Sequence, residues 1–346
     1  MRFYTQQHKH YCGIDLHARK MYVCIVDNKG KTKFHRNLKT DPELLFEVLF
    51  EYLEDIVVGV ECMFSWYWIA DLCTDHNIPF VLGHALYMKA IHGGKTKNDK
   101  IDSYKIARLI RGGNFPLAYP YPARMRATRD LLRRRMYLSR RCSELVAHIQ
   151  NTNTQYNMPA FVKKISRKYN RDGVAERFED PSVRKSVEVD LAVIDSLNNI
   201  LSKLEWHIEK TARNHDYKTL MLLRSVPGVG SILGLVILYE IHDIRRFPSV
   251  QDFSSYARLI KPVKESDGKW AGKSNKKIGN HHLKYAVKEA TILLLRSSEQ
   301  AKSYVEKLER KYNKGKALGI LTHKLGRAIY FMLKNDEAFN VNKFFG

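Results

Sequence analysis

Two short apolar runs, far apart in the chain, each end in a carboxylate: Tyr11-Cys12-Gly13-Ile14 gives way to Asp15, and Val57-Val58-Gly59-Val60 to Glu61. A third segment, Asn98-Asp99-Lys100-Ile101-Asp102-Ser103, carries two more. Apolar runs of this length, bounded by polar residues, predict buried strands that deliver an acid at their ends. Asp99 and Asp102 are three apart, so on a helix they share one face. Carboxylates gathered from separate segments repel unless a cation lies between them, and hard divalent ions such as Mg²⁺ prefer oxygen ligands. Any one of these acids alone reads more simply as a turn residue or a helix N-cap; the set predicts a metal site.

The elements around the acids fall in a recognisable order. Met21 to Val26 predicts a second strand, Asp27-Asn28-Lys29-Gly30 a turn, and Thr32 to Leu38 a third strand. Asp41-Pro42 opens an amphipathic helix with Leu44, Leu45, Val48, Leu49 and Leu53, followed by the Glu61 strand, a helix from about Ser65 to Cys73, a strand over Pro79 to Leu82, and the helix of Asp99 and Asp102. The order βββαβαβα is that of a ribonuclease-H-like mixed sheet flanked by helices, an analogy that the placement of the acids strengthens.

Lys and Arg number 59 against 36 Asp and Glu, a net charge of +23. Such an excess is typical of chains that neutralise phosphates, so nucleic acid is the expected partner. The sequence holds no uninterrupted apolar run of transmembrane length and no signal-peptide pattern, which predicts a cytoplasmic, nucleoid-associated protein that does not engage a membrane. Five cysteines without a C-x-x-C pair read as reduced packing residues, and the 14 histidines show no zinc-ligand spacing; His281-His282 reads as surface.

After Gly112-Gly113 and Pro116, Pro120 and Pro122 the composition changes, which places a domain boundary near 122. The following helix holds Arg124, Arg126, Arg129, Arg133, Arg134, Arg135, Arg140 and Arg141, with Leu138, Cys142, Leu145 and Ile149 as an apolar stripe. A second helix, with Leu191, Ile194, Leu201, Leu204 and Ile208, has the spacing to pair with it or with another protomer, so residues 123–215 read as a basic coiled coil with one packing and one phosphate-contacting face. Ala160 to Val187 is charged and aperiodic, and reads as a loop that orders on nucleic acid. In 216–346, Val226-Pro227-Gly228-Val229-Gly230 before the apolar helix Ile232 to Ile241 has the form of a helix-hairpin-helix turn and equally of a plain tight turn. Ser266 lies in a cation-rich loop, where spacing alone does not make it a nucleophile.

With these residues in view the chain resembles the insertion-sequence one-ten transposases, a DEDD-type, bridge-RNA-guided group that includes the Piv invertases. The resemblance rests on Gly13-Ile14-Asp15, Val60-Glu61 and Lys97 to Asp102, then on Ser225 to Gly230, Tyr256-Ala257-Arg258-Leu259, Glu265-Ser266, Gly279 to Lys284 and Lys314-Gly315-Lys316. It implies an α/β RuvC-like domain over 1–122, a coiled-coil segment over 123–215 and a mainly helical transposase domain over 216–346. It also implies that Asp15, Glu61, Asp99 and Asp102 hold Mg²⁺ and that Ser266 forms a 5′-phosphoserine link; Lys269 and Lys273, which flank the serine in sequence, are expected to join the arginines in holding nucleic acid. Its implied partners are element and target DNA, a guide RNA, and further copies of the chain in a dimer or tetramer. Two positions depart from the family pattern: Asp267 follows the serine where glycine is usual, which leaves Ser274 as an alternative nucleophile, and Ser103 follows the last acid where alanine is usual. A metal-dependent nuclease without serine chemistry, and a non-catalytic nucleic-acid binder, are the competing readings.

Overall fold

The computed structural model describes residues 2–92, 98–212, 215–260, 263–266, 269–273 and 278–346, with backbone alone for 89–92, 263–266 and 269–273. The chain divides into two compact units, Met1–Ala123 and Arg124–Gly346.

The first unit runs β1 (Phe3–Tyr4), β2 (His10–Leu16), β3 (Lys20–Asp27), β4 (Thr32–Lys39), α1 (Pro42–Phe50), β5 (Ile56–Glu61), α2 (Tyr67–Asp75), β6 (Phe80–Gly83), α3 (Ala85–His92), α4 (Asp99–Arg111) and β7 (Phe115–Pro116). The expected βββαβαβα order is present, with the short β1–β7 pair and α3 added to it. Its main sheet has the order β4-β3-β2-β5-β6: β2 to β4 form an antiparallel meander, while β5 and β6 run parallel to β2. β2 and β5 are apolar on both faces because both faces are covered. Cys12, Ile14, Val58 and Val60 pack with Leu45, Leu49 and Ile69 toward α1 and α2, whereas Tyr11 and Val57 pack with Ile106 and Ile110 of α4. Helix α1 starts where Asp41 accepts from the amides of Glu43 and Leu44, and it ends before Leu53, which is exposed rather than on its buried stripe. Cys62 also departs from expectation: it lies exposed past the end of β5, while Cys12, Cys24 and Cys73 are the packing cysteines.

Among its described residues the regular structure of the second unit is helical apart from one hairpin: α5 (Ala123–Gln155), α6 (Pro181–Ala212), α7 (Tyr217–Arg224), α8 (Ser231–Ile241), α9 (Val250–Tyr256), β8 (Val263–Ser266), β9 (Lys269–Lys273), α10 (His281–Ser297), α11 (Glu299–Glu309), α12 (Lys314–Asn335) and α13 (Val341–Phe345). Apart from Glu240, helix α8 is apolar nearly all round, as a helix buried on most sides must be, and it lies in the largest core. Helices α5 and α6 are antiparallel, since Arg135 reaches Glu205, Cys142 faces Asn198 and His148 reaches Asp190.

The 160–187 segment is not a loop awaiting nucleic acid. Ile165, Val174, Ala175 and Phe178 form a small core with Ile149, Val187 and Ile194, and α6 already begins at Pro181. The buried guanidinium of Arg171 fixes the turn by donating to Ile165 O (2.9 Å) and Ser166 O (3.0 Å) and by pairing with Asp195. A single hydrogen-bonded arginine thus organises apolar residues that have no regular spacing. No helix among the described residues is long and apolar enough to cross a membrane.

Candidate metal centre and nucleic-acid interface

Strand alternation puts Tyr11, Gly13 and Asp15 of β2 on the face that α4 covers. In the parallel β2–β5 pair Gly13 stands opposite Gly59 and Ile14 opposite Val60, so Asp15 and Glu61 are the next residues along two neighbouring strands at their C-terminal ends. The glycine pair explains how α4 comes so near. A Cβ on Gly13 would lie 2.3 Å from the carbonyl oxygen of Ser103 and 2.4 Å from the amide nitrogen of Ala107; one on Gly59 would lie 2.3 Å from Cδ1 of Ile110. The backbone of α4 therefore rests on the bare strand at Gly13, and its first turn is brought to Asp15.

That first turn is fixed from two sides. Asn98 caps α4 by accepting from the amide of Lys100 (2.9 Å), which leaves Asp99 and Asp102 in the turn where the helix dipole favours negative charge. From β4, His35 Nε2 donates to the carbonyl of Lys100 (2.9 Å) and lies 3.3 Å from the Ser103 hydroxyl. Burial holds the His35 pKa below its ordinary value, so the ring serves as a neutral donor. Ser103 is fully buried and donates to Lys100 O (3.0 Å), so its hydroxyl is satisfied where the family pattern has alanine.

Asp15, Asp99 and a residue that sequence reasoning passed over, His17, offer ligand atoms that all lie within 4.8 Å of one another. His17 Nε2 is 3.4 Å from Asp15 Oδ2 and 3.6 Å from Asp99 Oδ1. Asp15 is half-buried; His17 and Asp99 are exposed. Burial raises the Asp15 pKa above the usual carboxylate range; His17 pulls it down, and the charges of Asp99 and Asp102 push it up. Asp102 turns toward Lys105 (3.5 Å), and Glu61 sits half-buried at the end of β5; neither joins the three-residue group among the described residues. His17 was legible in principle: it is two residues beyond Asp15, so continued alternation keeps it on the same face.

In the second unit the eight arginines divide. Arg126 is buried, and Arg129 and Arg133 both bind Glu240, which is only 2% exposed. Arg133 does so with two nitrogens, at 2.6 and 2.9 Å, and Arg135 pairs with Glu205. Arg124, Arg134, Arg140 and Arg141 are exposed; Arg134 and Arg141 lie over the Tyr137 ring at 5.4 and 4.9 Å, and Arg141 also pairs with the exposed Glu144 (2.5 Å). Glu240 also accepts from the Asn280 amide (2.7 Å), which in turn donates to the Tyr256 hydroxyl (3.0 Å). Burial pushes the Glu240 carboxyl up, but the bond from Arg133, the charges of Arg129 and Arg133 and the Asn280 amide outweigh it and hold the pKa at about 2. His282, expected on the surface, is half-buried; burial, with Arg133 next, drives its pKa down to about 3.

Asn280 closes the base of the β8–β9 hairpin, because its amide donates to the carbonyl of Tyr256 (2.6 Å). Ser266 is the last residue of β8, opposite Lys269. The side chains of Ser266, Lys269 and Lys273, and Ser274 altogether, lie outside the described residues. In the turn between α7 and α8, Gly228 adopts φ +87° against Leu293, and Gly230 leads into α8 without a side-chain cap.

Two family models match the chain. One, described as a transposase with the DEDD signature of the IS110 group, covers residues 12–158; the other, the transposase IS116/IS110/IS902 family, covers residues 220–306. Both matched stretches are similar to domains of IS110-family transposases. Such domains imply DNA transposition by a DNA-rearranging enzyme, and the DEDD-type domain implies a divalent metal. No curated protein matches the chain. The residues at this edge of the first unit fit such an ion. Two ligands held at about 2.1 Å from a divalent ion stand roughly 3 to 4.2 Å apart, and the His17 to Asp15 and His17 to Asp99 separations of 3.4 and 3.6 Å fall in that interval.

Proposed function

We propose that this protein moves its element by cutting and rejoining DNA through a covalent serine–phosphate link, with a guide RNA choosing the sites. The observation that carries the reading is the delivery of Asp15 and Asp99, from a strand end and a helix start 84 positions apart in sequence, to within 4.8 Å of each other. That edge of the sheet follows the ribonuclease-H-like plan and is the RuvC-like part of the enzyme. Asp15, Glu61, Asp99 and Asp102 would hold Mg²⁺, which supplies charge neutralisation at a phosphate under attack.

Ser266 Oγ attacks the DNA phosphorus; the Oγ–P bond forms, the P–O3′ bond breaks, and the serine proton ends on the released 3′ hydroxyl. Rejoining reverses this: another 3′ hydroxyl attacks the phosphoserine, the Oγ–P bond breaks and the proton returns to the serine. One phosphoester replaces another at each stage, so no nucleotide triphosphate is consumed, in agreement with the absence of a G-x-x-x-x-G-K-[ST] sequence. The acids lie in the first third of the sequence and Ser266 in the last, so the reaction joins two domains, within one chain or between the protomers of a dimer or tetramer. Lys261, Lys264, Lys269 and Lys273 flank Ser266 in sequence and would neutralise the scissile phosphate. The exposed arginines of α5 supply sequence-independent phosphate contacts, which leaves specificity to base pairing between guide and DNA.

The test is incubation of the protein with its own element DNA and co-purified RNA, read on denaturing gels with labelled DNA. Mg²⁺-dependent strand exchange and a protein–DNA adduct lost in Ser266→Ala are expected. An adduct lost in Ser274→Ala instead moves the nucleophile to that residue. Metal-dependent cleavage with no adduct replaces the serine chemistry by hydrolysis, and exchange by RNA-free protein removes the guide.

A further inference from the structure

The acids account for an oxygen-ligated ion, but they leave unexplained why an imidazole stands between two of them. His17 is held there by its own backbone. Its amide donates to the carbonyl of Lys20 (3.0 Å), which closes the tight turn from β2 to β3, and its carbonyl accepts from the Thr40 hydroxyl at the end of β4 (2.8 Å). Neighbouring strands therefore fix both the direction of β2 beyond Leu16 and the face from which the ring projects. The ring reaches Asp15 and Asp99 with the same nitrogen, Nε2, at 3.4 and 3.6 Å. A hydrogen bond from one N–H to either oxygen at those lengths is poor. Both separations from Nε2 are instead those of two ligands on one ion.

We infer that His17 is a third ligand, through Nε2, to the divalent ion held by Asp15 and Asp99, and that it shifts the preference of the site from Mg²⁺ toward a first-row transition ion such as Mn²⁺. Oxygen ligands alone suit Mg²⁺ and Mn²⁺ alike, whereas an imidazole nitrogen strengthens binding of the transition ion and contributes little to Mg²⁺. His17 thus sets which ion this particular chain uses. The inference rests on the metal reading above, and its test separates the two.

Mn²⁺ is titrated into the full-length protein and followed by electron paramagnetic resonance, with Mg²⁺ as competitor, for the wild type, His17→Gln and Asp15→Asn. Nitrogen coordination is read from the spin-echo modulation of bound Mn²⁺. The expected result is a nitrogen signal in the wild type that vanishes in His17→Gln, together with a Mn²⁺ affinity about tenfold weaker and a Mg²⁺ affinity almost unchanged. Asp15→Asn should weaken both ions. If His17→Gln binds Mn²⁺ as the wild type does, or the wild type shows no nitrogen signal, the inference is overturned while the metal site stands. If the wild type binds neither ion, with or without element DNA, or Asp15→Asn binds both undiminished, the metal reading falls and the inference with it.

Discussion

Arg133 and Glu240, 107 positions apart, form a two-pronged ion pair in which Nε meets Oε1 at 2.6 Å and a second guanidinium nitrogen meets Oε2 at 2.9 Å. Arg129 binds the same carboxylate from one turn earlier on α5, and Asn280 binds it from the start of α10. Three elements of the second unit are tied at one buried charge. Removing one partner of such a pair leaves the others buried and uncompensated, which costs about 3 to 5 kcal/mol. Glu240→Ala is therefore expected to lower unfolding stability by that order in urea titrations, with Arg133→Ala close behind. A loss under about 1 kcal/mol would show that water reaches the site and relieves it.

The same group sets a pH dependence. Its folded pKa, about 2, lies below the ordinary value of 4.5, so the carboxylate stabilises the fold above pH 4.5 and its contribution is lost as pH falls toward 2. Wild-type protein should lose stability across that window. Glu240→Gln should start less stable at neutral pH and lose less on acidification, as measured by thermal unfolding at a series of pH values.

Gly13 and Gly59 face α4 side by side, yet substitution should affect them differently. A methyl at Gly13 meets helix backbone, which cannot give way without moving Asp99 and Asp102; one at Gly59 meets the tip of the Ile110 side chain, which can rotate. Overpacking costs of about 1 to 3 kcal/mol are typical. Gly13→Ala is expected at or above the top of that range with divalent-ion binding lost, and Gly59→Ala near the bottom with binding kept. Calorimetric titration with Mn²⁺ and thermal melts check both, and equal effects would sink this account of the glycine pair.

The division of the arginines is testable without a structure. Arg134→Ala and Arg141→Ala remove exposed charge and should leave stability within about 0.5 kcal/mol. Each should weaken binding to any DNA and reduce the slope of log affinity against log salt by about 1. Arg129→Ala should lower stability first. A salt slope unaltered in the double variant Arg134→Ala, Arg141→Ala would place the nucleic acid on another face.

What could be read from the residues was the plan of the first unit. Apolar strand runs and the Asp41 cap are local signals, and the acids stood at the ends of the elements that carry them. His17 was missed because histidines were judged by spacing to one another, whereas its partners are an acid two residues before it and another 82 after it. The eight arginines were read as one basic face because helix periodicity shows what is polar and not what is paired. The clue lay elsewhere: Glu240 is the one acid in the otherwise apolar run of α8, and a carboxylate buried there requires cations. The 160–187 segment misled for the opposite reason, since a clamp by Arg171 substitutes for periodicity.

Helix α5 spans 33 residues, so it is about 50 Å long at 1.5 Å per residue. Its root is packed in the large helical core through Met125, Leu132 and Met136, and its tip in the separate small core through Ile149. Fastened at both ends, the helix holds its exposed arginines in a fixed row: Arg124 to Arg141 is 17 positions, about 26 Å at 1.5 Å per residue. On the proposed reading that row would span roughly seven to eight base pairs of a duplex rising 3.4 Å per pair, with the remaining turns of α5 serving only to anchor it.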